Sequence, residues 1–142
     1  MDKGVKSYEG ACHCGAVRFA VDMDLGATNA SKCNCSICTK LGVTGGVVKP
    51  AAFKLEAGEG ELSTYAFGTK MATRYFCKRC GVHLFGKGHL AELGGDFVSV
   101  NVNTLEGVEP TELELVYWDG RHDNWQIGPR KTPFPVLGAA IA

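Results

Sequence analysis

The stretch Phe97-Val98-Ser99-Val100-Asn101-Val102-Asn103 decides how the chain folds. Apolar side chains recur at every second position, and β-branched residues fill most of them, which is the period of a half-buried strand. Ala16-Val17-Arg18-Phe19-Ala20-Val21-Asp22 repeats the pattern near the start of the chain. Working outward, further strands are expected at 44–49, 52–57, 62–67, 73–76, 82–85 and 112–118. Between them lie breaks such as Gly58-Glu59-Gly60, Gly94-Gly95-Asp96 and the stretch from Gly107 to Pro110. Helical periodicity is confined to one short turn around Ser36 to Leu41. The expectation is a mainly β domain with little helix, either a sandwich of two sheets or a partly open barrel.

At 142 residues the chain is the size of one ordinary domain and can bury a core of its own. No linker, repeat or low-complexity block divides it, so residues 1–142 are read as one domain. Three of the five prolines fall between Gly128 and Pro135, and the C-terminal segment 128–142 is expected to run extended over the surface. Hydrophobic residues make up 45% and charged residues 21%, which is a globular balance. Fifteen basic and 15 acidic residues cancel, and no run of Lys or Arg exceeds two. Neither nucleic acid nor an anionic membrane is expected as a partner. The longest apolar run, Val136 to Ala142, is too short to span a bilayer, and Met1-Asp2-Lys3-Gly4 opens no secretory leader. The expected location is the cytoplasm.

Seven cysteines in a reducing compartment point to metal rather than to disulfides, and the odd count resists complete pairing. They fall into three groups: Cys12-His13-Cys14, Cys33-Asn34-Cys35-Ser36-Ile37-Cys38 and Cys77-Lys78-Arg79-Cys80. A Cys-x-x-Cys turn supplies two ligands, and Gly81 just after it tolerates the positive φ such a turn needs. Cys12 and Cys14 are the natural second pair. Placed two apart on a strand, their α-carbons would lie about 6.6 Å apart on one face, with Gly15 relaxing the backbone so that the sulfurs approach the about 3.8 Å separation that tetrahedral zinc imposes. Cys33, Cys35 and Cys38 remain as a set of three, the number that leaves a coordination position open for substrate. Three thiolates make the zinc a weak Lewis acid that favours a further sulfur. Two rival partitions stay open: a histidine, His83 being nearest, completing a second closed site, and a redox pair of Cys35 and Cys38.

The residues resemble the glutathione-dependent formaldehyde-activating enzymes and their relatives, which include centromere protein V. The resemblance is carried by Gly10-Ala11-Cys12-His13-Cys14-Gly15-Ala16-Val17-Arg18-Phe19, by Cys33 to Cys38, by Phe76-Cys77-Lys78-Arg79-Cys80-Gly81-Val82-His83-Leu84-Phe85 and by Val98 to Leu105. It spans roughly residues 8 to 130. It implies a zinc-bearing β fold of the Mss type with two zinc ions. A structural zinc would sit on Cys12, Cys14, Cys77 and Cys80, and a catalytic zinc on Cys33, Cys35 and Cys38. The implied reaction adds glutathione to formaldehyde, and run in reverse it is a carbon–sulfur lyase reaction. A thiol with two carboxylates calls for cations: Lys40 is closest in sequence to the open trio, and Arg74, Arg121, Arg130 and Lys131 depend on the fold. Asn34 and Ser36, between the ligands, are candidates to hydrogen-bond thiolates or substrate. Trp118-Asp119-Gly120-Arg121-His122-Asp123-Asn124-Trp125 reads as an edge strand and turn covering the sheet, with a pocket wall as the other reading. The competing function is a non-catalytic zinc module that binds a protein partner.

Overall fold

Alternation of apolar and polar side chains gives the chain ten strands among the described residues, divided between two sheets. The structure is a computed structural model and describes residues 4–26, 30–68 and 72–135. The smaller sheet is antiparallel, with β1 (Lys6–Ala11), β2 (Arg18–Met23) and β5 (Phe53–Ala57) in the order β1-β2-β5. The larger holds β3 (Ser31–Cys33), β4 (Gly45–Val48), β6 (Leu62–Tyr65), β7 (Ala72–Cys77), β8 (His83–Leu90), β9 (Gly95–Asn101) and β10 (Val116–Trp118). Its order is β10-β3-β4-β9-β8-β7-β6, and β10 runs parallel to β3. The architecture is mainly β, as expected.

The alternation that decides the fold sits in the middle of the larger sheet. Val98 and Val100 of β9 are 2% and 1% exposed, while Ser99 between them faces the other way. On the core face, Phe85 of β8 packs against Phe53 of β5 with ring centroids 4.6 Å apart and lies near Phe19 of β2 at 6.3 Å. Tyr75 of β7 stacks on the same ring at 4.8 Å. Four aromatic rings therefore join the two sheets, and such pairs add to the burial of their area. Gly10 makes room for this: a Cβ there would enter the Phe19 ring.

The α-helix among the described residues, α1 (Ser36–Leu41), is the turn expected at that position. No helix among the described residues is long and apolar enough to cross a membrane. Two strands have no counterpart in the expectations. β1 carries Lys6, Ser7 and Glu9 on an exposed edge, so its sequence lacks apolar alternation. β3 has three residues, too few to show a period. The strand expected at 112–118 shortens to Val116–Trp118, because Pro110–Glu112 forms a 3-10 turn whose Thr111 hydroxyl donates to the Glu109 carboxylate at 2.9 Å. In the C-terminal segment, Arg130 pairs by backbone with Tyr117 of β10, at 2.7 and 3.0 Å. Residues 136–142, including the apolar run, lie outside the described residues.

Candidate functional site

The seven cysteines gather into two groups, and each is one that can hold a metal ion. Cys12, Cys14, Cys77 and Cys80 form the first. Cys12 and Cys14 were expected on a strand. Instead β1 stops at Ala11 and the pair occupies the turn into β2, with the Gly15 amide donating to the Cys12 carbonyl at 3.2 Å. The reason is geometric: two sulfurs on one strand face start too far apart, whereas this turn brings Cys12 and Cys14 Sγ to 3.7 Å. Gly15, at φ +81°, closes it. The second pair repeats the device. The Gly81 amide donates to the Cys77 carbonyl at 2.7 Å, with Gly81 at φ +78°.

Cys14 Sγ lies 3.7 Å from Cys77 Sγ, so the two turns meet through their sulfurs. The Val17 amide donates to Cys12 Sγ at 3.3 Å. Backbone amides also aim at Cys80, and these, opposing burial and joined by Cys77 and Cys12, hold its thiol down at about 6. Cys12 and Cys77 are buried in the core, which makes this group part of the packing.

The second group is Cys33, Cys35 and Cys38. Cys33 ends β3, Cys35 is the N-cap residue of α1 with extended backbone, and Cys38 stands within the helix. One turn of helix brings Cys38 back beside Cys35, and the Cys35 amide faces Cys33 Sγ at 3.5 Å. Hydrogen bonds from Cys33 and then Cys38 drive the Cys35 thiol far down, with the Arg74 charge assisting. Cys33 is pushed up, first by its bond to Cys35. Cys38 gains from Cys33 but is raised by Cys35 and by burial. The free trio thus carries one favoured thiolate and two protons that a metal must displace.

Asn34 does not bond the thiolates. Its Nδ2 donates to Asp119 Oδ1 at 2.9 Å, and its Oδ1 accepts the Arg121 amide at 2.8 Å. Asp119 is 5% exposed and also meets His122 Nδ1 at 2.8 Å. The Asn34 bond first, then His122 and Asn124, hold the Asp119 carboxyl below the usual carboxylate range. Asp119 therefore fastens the loop of the trio to residues 119–124. Gly120 completes the fastening, because a Cβ there would collide with Cys33 Sγ and the Trp125 ring.

A cavity of ≈ 510 Å³ opens beside the trio and is lined by Cys33, Cys35 and Cys38. Its floor is the outward face of the larger sheet at Val47, Ser99 and Gly86, which are in register across β4, β9 and β8. Trp118 and Trp125 form part of its wall, as do Arg74, Arg121 and His83. A smaller groove of ≈ 240 Å³, walled by Lys32, Tyr117 and Phe134, also reaches Cys33 and Cys38.

The family model described as glutathione-dependent formaldehyde-activating enzyme matches residues 7–118, which include all seven cysteines. The chain belongs to this family. A protein of Penicillium rubens, provisionally named a glutathione-dependent formaldehyde-activating enzyme, is 38% identical over 97% of this chain and 80% of its own length. One from Emericella nidulans with the same provisional name is 30% identical, over 77% of this chain and 59% of its own. The fold is similar to the crystal structure of a Rhodobacter sphaeroides protein, with TM-score 0.66 and 33% identity, covering 73% of this chain and 93% of that one.

In this family member the expected cations sort themselves by position. Lys40 is exposed in the last turn of α1 and is not among the residues lining the cavity, because that turn points the side chain at solvent. Arg130 lies over the Phe134 ring at 4.1 Å. Arg74 and Arg121 do line the cavity, the first with its guanidinium 5.6 Å from the Phe67 ring centroid. Arg121 Nε and His83 Nδ1 are buried without a hydrogen-bond partner among the described residues. His83 stacks on Phe76 at 4.9 Å, and burial, then Arg74, push its imidazole below the ordinary value, so it is neutral at pH 7. It is not one of either cysteine group. Of residues 118–125 only Trp118 belongs to a strand, as the end of β10, and Gly120–His122 is a 3-10 turn, so the segment serves as a cavity wall rather than as the edge strand expected there. Asp119 escaped the sequence reading; its one signal was an acidic residue before a glycine in a polar, aromatic stretch.

Proposed function

We propose that this protein binds zinc at both cysteine groups and joins a small thiol, glutathione, to a small aldehyde, as in the formaldehyde reaction that names the family. The observation that carries the reading is that one of the two groups opens on a cavity and the other does not. Cys33, Cys35 and Cys38 line the ≈ 510 Å³ cavity, whereas the residues lining it include none of Cys12, Cys14, Cys77 and Cys80. Four thiolates suit a closed structural site, and their 3.7 Å sulfur separations fit the about 3.8 Å that tetrahedral zinc imposes. Three thiolates suit a site that accepts a substrate sulfur.

Zinc at the trio would supply a soft Lewis acid that keeps an incoming thiol deprotonated at neutral pH, where a free thiol is mostly protonated. The residues of the chain do the rest. Arg74 and Arg121 offer guanidinium groups to the carboxylates of the thiol. Asn34 and Asp119 hold the cysteine loop in place, and Trp118 and Trp125 shield the reacting atoms from water. The thiol sulfur bonds to the carbonyl carbon, the π pair moves to oxygen, and that oxygen takes up the proton the thiol released. An aldehyde is electrophilic enough that no strong general base is needed. The reverse reaction is a carbon–sulfur lyase step. The cytoplasm, which keeps both cysteine groups reduced, is the compartment that suits it.

Zinc-reconstituted protein is expected to hold about two zinc ions per chain, the one at Cys33, Cys35 and Cys38 the more easily chelated. It should accelerate exchange between free formaldehyde and its glutathione adduct, measured by magnetisation transfer. An uncatalysed rate from fully metallated protein, unchanged by Cys35→Ser, would sink this function.

A further inference from the structure

The cavity has two chemically different sides. Register places Val47, Ser99, Gly86 and Arg74 in one row across β4, β9, β8 and β7. With neighbouring strands about 4.8 Å apart, the row separates Val47 from Arg74 by about 14 Å. Between them stand only Ser99 and Gly86, the smallest residues of the row. Arg74 marks the side that suits an anion, and among the described residues it has no carboxylate partner.

The remaining lining includes Leu41, Val43, Val47, Leu90, Leu93 and Phe97. Phe97 is 7% exposed, yet among the described buried apolar side chains it alone stands outside the contiguous core. The reason is the strand period: Val98 and Val100 take the core face of β9, and Phe97 takes the other. The other five are half-buried and also outside the core. Six apolar side chains with no core to serve, gathered in the cavity of the thiols, form a surface for an apolar ligand. Glutathione, with two carboxylates, an ammonium and two peptide groups, gains little there. Formaldehyde has no carbon beyond its carbonyl to bury.

We infer that the aldehyde partner carries an apolar chain or ring of several carbons beyond its carbonyl, seated against Leu41, Val43, Val47, Leu90, Leu93 and Phe97. The thiol lies toward Arg74. This rests on the thiol–aldehyde reading above. The step is balanced without an oxidant: the S–H proton moves to the carbonyl oxygen, one S–C bond forms, the C=O π bond opens, and the product is the thiohemiacetal.

The two tryptophans of the chain, Trp118 and Trp125, both line the cavity, so intrinsic fluorescence reports its occupation directly. Unreactive 1-alkanols from methanol to hexanol should bind about fourfold tighter for each added methylene until the cavity is full. Val47→Asp should abolish that trend and Val47→Ile should keep it, with circular dichroism showing the wild-type strand signal in both. With zinc-loaded protein and glutathione, pentanal and phenylacetaldehyde should exchange with their adducts at least tenfold faster per mole than formaldehyde does. Alkanol affinity independent of chain length, or formaldehyde exchanged as fast as pentanal, overturns the inference. Exchange with no aldehyde at all, while alkanol affinity still climbs, overturns the thiol–aldehyde reading and with it the aldehyde as occupant. The alkanol series needs no variant, so a misfolded Val47→Asp does not shelter the inference.

Discussion

Asn34 and Asp119 grip one another at 2.9 Å across 85 residues of sequence, tying the loop of the cysteine trio to the segment that walls its cavity. The grip has a second strand, since Asn34 also accepts the amide of Arg121. Partners that orient a ligand-bearing loop commonly contribute as much as ligands do. Asn34→Ala is expected to weaken zinc binding at the trio by about 10–100-fold. Competition with a chromophoric chelator measures this, and the four-cysteine group should retain its metal throughout. Equal loss at both groups would show that Asn34 acts on the whole fold.

Cysteines of the two groups should differ in what they cost when removed. Cys77 is fully buried and packs in the core. Cys77→Ser is expected to lower the melting midpoint by about 10 °C or more, because metal binding there is folding free energy. Cys35→Ser should shift the midpoint by only a few degrees, remove one zinc, and return aldehyde exchange to the uncatalysed rate. Thermal melts followed by circular dichroism, together with zinc analysis, check both.

Much of this division was legible in the sequence, and what was not legible is instructive. Phe97 to Asn103 shows its period openly because one face of β9 is core and the other is cavity floor. Ser36 to Leu41 reads as a helix and is one. β1 could not be read, since an edge strand has little to bury and Lys6, Ser7 and Glu9 leave no alternation. Cys12 and Cys14 do come together, but in a glycine-closed turn where a strand was expected. The cavity cations were harder still. Lys40 is near the trio in sequence, whereas Arg74 shares its cavity because β7 presents that side chain on the sheet face that floors it. Asp119 depends wholly on a contact between distant segments, which no local pattern records.

The pH dependence of zinc uptake follows from the direction in which the trio's thiols are shifted. In the free trio Cys35 is pushed down and is a thiolate, while Cys33 and Cys38 are pushed up and keep their protons at neutral pH. Groups raised in this way bind protons that metal must expel, so falling pH favours the metal-free trio. Apparent zinc affinity at the trio should therefore rise by about two log units per pH unit near neutrality. Chelator competition at pH 6, 7 and 8 reads the slope. A slope near zero would mean that the thiols are already ionised without metal.

Arg74 is expected to act on the thiol substrate rather than on the metal. Its guanidinium lines the cavity and rests over Phe67. Arg74→Gln should raise the KM for glutathione by about tenfold, the scale of one charge-assisted hydrogen bond. The zinc content should remain at the wild-type value. A cysteamine co-substrate, which has the thiol but no carboxylate, should be insensitive to the change. If cysteamine and glutathione suffer alike, Arg74 serves the fold and not recognition.

The two cysteine groups also differ in how far apart along the chain their members lie. Cys33, Cys35 and Cys38 are supplied by one short segment, whereas Cys14 must meet Cys77 across 63 positions. As the polypeptide leaves the ribosome, the neighbouring trio is complete while the distant quartet still lacks half its sulfurs. The nascent chain therefore offers metal a local trap before it can offer the two-turn clasp. Entropy of loop closure delays the clasp further. On the proposed zinc reading, an ion at the quartet would be the last to find its home, and metal supplied late in synthesis would govern the yield of folded protein.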